Sequence, residues 1–163
     1  MNPTGVTVSF EAESGMLNAP MASADDAAAA GGKYISVPTG AAVNAMPDMS
    51  TMGTATYMFN VSAAGNFTVW GRVRVTIAED DSFWVKVDQS PWSQWNNLSA
   101  NMNTDWQWDD VHDSQMPANG AKTSYMLTQG MHTLTVAYRE SGGRLDKFVV
   151  TSVPNFTPSG MGP

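Results

Sequence analysis

A two-residue rhythm limits the fold of this chain more than any other feature. Across 6–13, Val6, Val8, Phe10 and Ala12 alternate with Thr7, Ser9, Glu11 and Glu13. Successive strand side chains point to opposite faces, so the pattern describes a strand with one buried and one wet side. Runs of the same kind, rich in β-branched and aromatic residues, occupy 34–37, 55–61, 66–77, 82–88, 106–111, 123–127, 132–138 and 145–151. Turn residues part them at Ala64-Gly65, Gln129-Gly130 and Ser141-Gly142-Gly143. No segment shows a capped helical period, and the run from Ala27 to Ala30 passes straight into Gly31-Gly32. Many short strands without helices between them predict an all-β antiparallel sandwich or barrel. The stretch 16–32 is expected to be irregular.

A chain of 163 residues has room for one domain with its own core. That domain is expected over 1–152, with the Pro/Gly/Ser-rich 153–163 as a linker or tail. Only 14% of residues are charged and the net charge is -7, so neutral polar side chains solvate much of the surface. The balance lacks the basic stripe that nucleic acid or an anionic membrane surface would need. No run approaches the roughly 18 apolar residues of a membrane span. Absence of cysteine excludes disulfides, thiol catalysis and thiolate metal sites, while oxygen-ligated metals stay open. The start, Met1-Asn2-Pro3-Thr4, is not that of a signal peptide, and the chain reads as a mature or excised domain.

Six tryptophans are present, and Trp92, Trp95, Trp106 and Trp108 fall in a stretch dominated by Asn, Ser, Gln and Asp. Sugars present C–H faces that stack on indole and hydroxyls that need amide or carboxylate partners, so this composition suits a saccharide site. At least two of the six are expected in the core. Alternation within 66–77 leaves Trp70, Arg72 and Arg74 opposite the apolar face, and within 82–88 it leaves Trp84 and Lys86. Were those strands neighbours, indoles and cations would share a surface suited to an acidic polysaccharide.

In order along the chain, FEAE at 10–13, GGKYI at 31–35, GNFTVWGR at 65–72, WQWDDV at 106–111, GMHTLTV at 130–136 and RLDKFVV at 144–150 resemble carbohydrate-binding modules of families 6, 35 and 36. The resemblance covers roughly residues 6–152. It implies a galactose-binding-like jelly-roll sandwich holding a structural calcium. Such modules are usually non-catalytic, and they target a secreted enzyme or surface protein to a polysaccharide. By the same resemblance the calcium ligands are Glu11, Glu13 and Asp146, with a backbone carbonyl near Lys33. The physics agrees, because calcium takes six to eight hard oxygens and residues i and i+2 of a strand share a side. The resemblance further makes Trp106 the stacking platform, Tyr34 its aromatic partner and Arg144 a ligand contact before the last strand. The family's two tryptophans stand three apart; here WQW spaces them by two, which on a strand puts Trp106 and Trp108 on one face.

Asp109-Asp110-Val111-His112-Asp113 is the densest ionisable cluster. On a strand, Asp110 and His112 would share one side and Asp109 and Asp113 the other, so the cluster is not expected to converge. No catalytic motif accompanies it. The expected partner is therefore an oligo- or polysaccharide, with acidic chains among the candidates, bound by a monomeric, extracellular or cell-surface module. The alternative is a calcium-stabilised adhesive spacer with no specific sugar.

Overall fold

The alternating runs become strands in a computed structural model that describes residues 5–47, 52–98, 105–115 and 121–163. In chain order they are β1 (Thr7–Glu11), β2 (Met16–Leu17), β3 (Ala22–Asp25), β4 (Lys33–Ser36), β5 (Thr54–Val61), β6 (Gly65–Arg74), β7 (Phe83–Val87), β8 (Ser93–Trp95), β9 (Gln107–Asp110), β10 (Ser124–Leu127), β11 (Gly130–Tyr138) and β12 (Arg144–Thr151). One sheet runs β10-β6-β12-β4-β3, with β1 also along β12 and β9 also along β6; the other runs β2-β5-β11-β7-β8. Each of these pairings is antiparallel. The result is the expected all-β sandwich, and no α-helix occurs among the described residues.

The inward faces make the core. Phe10 lies 4.9 Å from Tyr57, 6.1 Å from Phe59 and 6.0 Å from Phe148, ring centre to ring centre, tying β1, β5 and β12 together. Val69, Val73, Val85, Leu134, Val136 and Leu145 fill the space between the sheets. Trp95 has no exposed surface. A Cβ on Gly71 would stand 2.4 Å from its indole, so glycine in β6 is what allows this large ring to cross the sandwich.

Four local expectations change. The first strand stops at Glu11 and turns through one 3-10 turn over Ala12–Ser14. The stretch 16–32 contains β2 and β3, paired with β5 and β4. Residues 153–163, expected as linker or tail, lie against the sandwich: Trp108 Nε1 donates to Gly160 O at 3.0 Å and Ser9 Oγ to Pro163 O at 3.0 Å. Finally, β6 and β7 belong to opposite sheets, so Trp70, Arg72 and Arg74 share no surface with Trp84 and Lys86. Alternation specifies which face a side chain takes, not which strand lies alongside.

Candidate functional site

Where β12 begins, its register against β6 slips: Leu145 pairs Val73 and Lys147 pairs Arg72, leaving Asp146 as the extra residue of a bulge. A bulge re-aims a side chain, and here it buries a carboxylate completely. Asp146 Oδ2 accepts from Ala30 N–H at 3.1 Å and forms a buried ion pair with Arg72. The 3-10 turn brings Glu13 to the same place as Glu11 although the strand has ended. Gly31, at φ +66°, sits between them, and a Cβ there would lie 3.1 Å from Glu13 Oε1 and 3.6 Å from Glu11 Cδ. Lys147 Nζ pairs with Glu11 Oε1 at 3.3 Å.

Each of these three carboxylates keeps one buried oxygen, Glu11 Oε2, Glu13 Oε2 and Asp146 Oδ1, without a hydrogen-bond partner. Burial pushes the Glu13 carboxyl up, and the charges of Glu11 and Asp146 add to that. Burial raises Asp146 as well, against the lowering effect of Arg72. Buried, unpartnered carboxylate oxygens are the donor type that a hard divalent cation takes, as the calcium implied by the resemblance would need, although among the described residues it is Asp109, Asp110 and His112 that bring three ligand atoms within 4.8 Å of one another. Strand alternation, however, is not what makes Glu11 and Glu13 converge. Lys33, at the start of β4, follows the Gly31-Gly32 turn, and its ammonium group pairs with Asp25 at 2.5 Å.

Beside this pocket stand the predicted sugar contacts. Tyr34 on β4 and Trp106, just before β9, lie 5.9 Å apart between ring centres, inclined at 55°. The Arg144 guanidinium lies 5.0 Å from the Tyr34 ring centre. Arg72, 5.7 Å from the Trp106 ring, supports the indole and also donates to Ala28 O at 3.3 Å. Arg74 pairs with Asp26 at 2.8 Å, and Ala28 N–H, donating to the Asp26 carboxylate at 2.9 Å, holds that group below its ordinary range. Among the described residues Arg144 has no carboxylate at ion-pair distance, in contrast to Arg72, Arg74 and Arg139. A cleft of about 500 Å³ opens beside Tyr34 and Arg144, lined also by Ser23, Ser36, Thr76 and Asp80. Burial, with Glu79 and Glu140 nearby, raises the Asp80 carboxyl.

The remaining sequence candidates stand elsewhere. Trp95 is core and offers no platform; its Nε1 donates to Asp109 at 2.9 Å. Arg72 is spent on Asp146 and is only 7% exposed. Trp70 is buried beneath the Lys122 ammonium at 4.1 Å, and Trp84 is buried with its N–H on Asn44 O at 2.8 Å. Trp92 is half-buried under Lys86, 4.6 Å from its ring, at a separate cleft. Trp108, on β9, is covered by the C-terminal tail, with a Cβ on Gly162 falling 2.6 Å from its ring. The polar stretch 99–104 before Trp106 lies outside the described residues.

Asp109, Asp110 and His112 do converge, against expectation. One ligand atom from each lies within 4.8 Å of the others, a grouping able to hold a metal ion. As folded, the His112 nitrogens lie 2.8 Å from Asp110 O and 2.6 Å from Asn96 O. Burial pushes the Asp109 carboxyl up to about 6, against the Trp95 hydrogen bond. The Arg72–Asp146 and Arg74–Asp26 pairs were not legible in the sequence, because no member of either is near its partner in the chain.

Several solved structures share the fold. A family 35 carbohydrate-binding module from Clostridium thermocellum superposes with a TM-score of 0.60 at 15% identity, over 88% of this chain and 97% of that one. The C-terminal family 6 module of LamC, a marine laminarinase from Zobellia galactanivorans, gives 0.59 at 12% identity over 90% and 99%. An exo-β-1,3-galactanase from Phanerochaete chrysosporium, solved with β-1,3-galactotriose, gives 0.61 at 17% identity over 87% of this chain. The chain spans only 28% of that galactanase. No curated protein matches the chain. The family model for the glycosyl hydrolase family 115 C-terminal domain matches residues 29–163, most of the sandwich and the tail upon it. The chain therefore belongs to the glycosyl hydrolase family 115 C-terminal domain family, folded as a sandwich like those of carbohydrate-binding modules of families 35 and 6.

Proposed function

We propose that this module binds a polysaccharide at the Trp106–Tyr34–Arg144 corner and holds an appended glycoside hydrolase against it, without catalysing a reaction itself. The observation that carries the reading is the tilted Trp106–Tyr34 pair with the Arg144 guanidinium on the tyrosine. Two inclined rings give a sugar an apolar surface, and the guanidinium gives a fork for its oxygens. Because Arg144 has no carboxylate at ion-pair distance among the described residues, an acidic saccharide is the ligand class the corner suits best. A polymeric ligand places the module outside the cell or on its surface.

Glu11, Glu13 and Asp146 hold calcium in this reading. A bound cation would offset the crowded charges of these three residues. Asp146 also anchors Arg72 beneath Trp106, so the same residue serves the cation and the platform.

Affinity electrophoresis against neutral and acidic polysaccharides tests the proposal. Retardation by at least one acidic chain, relieved by Arg144→Ala and by about 1 M salt, where the Debye length is roughly 3 Å, is the expected result. Migration unaffected by every polysaccharide would mark the module as an adhesive spacer instead.

A further inference from the structure

The cleft beside Tyr34 and Arg144 also holds a carboxylate. Asp80 ends the 3-10 turn Ala78–Asp80, and with Thr76 it brings the chain that follows β6 into the same 500 Å³ space. Gly142, at φ +109°, lets that carboxylate lie against the loop leading to Arg144, because a Cβ there would collide with both of its oxygens. Asp80 is only 8% exposed, yet neither oxygen is sealed off as those of Glu11, Glu13 and Asp146 are.

Among the described residues Asp80 and Arg144 pair neither with each other nor with another charged side chain. Arg139 does not neutralise Asp80, since its guanidinium lies 3.0 Å from Glu140 and 2.8 Å from Ser82 Oγ. Burial above all, then the charges of Glu79 and Glu140, raises the Asp80 carboxyl, which is the mark of an anion held without a partner. A cation and an anion kept apart in one cleft suit a ligand that carries complementary groups side by side.

We infer that Asp80 sets the specificity of this cleft, accepting hydroxyls from a neutral sugar that neighbours an acidic sugar held by Arg144. The inference rests on the sugar-binding reading of the Trp106–Tyr34–Arg144 corner and narrows its ligand to chains whose acid groups are spaced by uncharged residues. A carboxylate offers two acceptor oxygens to the hydroxyls of a neutral ring. The same carboxylate repels a second ligand carboxylate, so a chain charged at every residue meets Asp80 with the wrong sign. Attraction at Arg144 and repulsion at Asp80 together discriminate between acidic chains, which attraction alone would not.

Calorimetric titration of the whole module tests this with two groups of probes. In hyaluronan, unsulfated chondroitin and gellan each uronate is flanked by neutral sugars, whereas in polygalacturonate and polyguluronate every residue is charged. The unsubstituted module is expected to bind at least one spaced chain more tightly than either fully charged one. Asp80→Asn keeps the shape and removes the charge. It is expected to weaken the spaced chain about tenfold and to tighten polygalacturonate about fivefold, with no loss of melting temperature. Asp80→Ser repeats the comparison with a smaller neutral group, and Arg144→Ala is expected to weaken both groups of chains alike. Unchanged selectivity in both Asp80 variants overturns the inference and leaves the corner standing as a sugar site, as does a fully charged chain bound more tightly than all three spaced ones. Binding of none of the five overturns the acidic-ligand reading of the corner, and this inference with it.

Discussion

Asp146 carries two jobs on one carboxylate. Oδ2 is held by Arg72 and Ala30, while Oδ1 faces the acidic pocket without a partner. Removing it as Asp146→Ala would leave the Arg72 guanidinium buried and unpaired, a change that costs about 3–5 kcal/mol. Denaturant titration should show a loss of that size, whereas Arg144→Ala, at the cleft mouth, should leave the midpoint nearly unchanged. Trp95→Ala should likewise cost about 3–5 kcal/mol, because it empties a fully buried indole site. These roles were unevenly legible. Asp146 could be picked out by its place in a family pattern, but its partner Arg72 looked like one cation on an outward face. Trp95 sat among polar residues that suggested a surface site. Only three-dimensional packing shows that Gly71 makes room for it in the core.

At the scale of elements, the long strands were the easy part. β6, β11 and β12 have enough residues for alternation to register, whereas β2 and β8, of two and three residues, do not. Strand alternation was expected to put Glu11 and Glu13 on one side, but the strand ends at Glu11 and a 3-10 turn carries Glu13 back beside it. A similar local clamp joins β7 to β11. His132 Nδ1 lies 2.7 Å from Asp88 Oδ2, Nε2 lies 2.8 Å from Thr128 O, and Asp88 Oδ1 accepts from Thr133 N–H at 2.8 Å. The Asp88 bond, above all, raises the His132 pKa in the folded state. A raised pKa means the folded form holds its proton more tightly, so this contribution is complete below the unfolded value of about 6.5 and is lost as pH rises through the folded one. The melting temperature should therefore fall as the pH rises above about 6.5. Asp88→Asn should flatten that slope; an identical slope in the variant would show that the clamp does not titrate.

For the whole molecule, the two functional ideas make separable demands. A cation bound only by the folded state adds RT ln(1 + [L]/Kd) to stability, so calcium should raise the melting temperature and a chelator lower it. Glu13→Gln should remove most of that response, since it withdraws charge from a cage whose three carboxylates face two cations, Arg72 and Lys147. Equal melting curves with calcium and with chelator would rule the cage out without touching the sugar site. The tail, legible in sequence only as Pro/Gly-rich, folds back onto Trp108 because that indole N–H finds an acceptor at Gly160.

The central claim is that Trp106 makes the primary sugar contact. Its most direct test is calorimetric titration with the polysaccharide that retards the unsubstituted module, comparing that module with Trp106→Ala and recording the melting temperature of both. The account predicts that binding weakens by about 1–3 kcal/mol while the fold melts at nearly the same temperature. Undiminished binding in Trp106→Ala would contradict it.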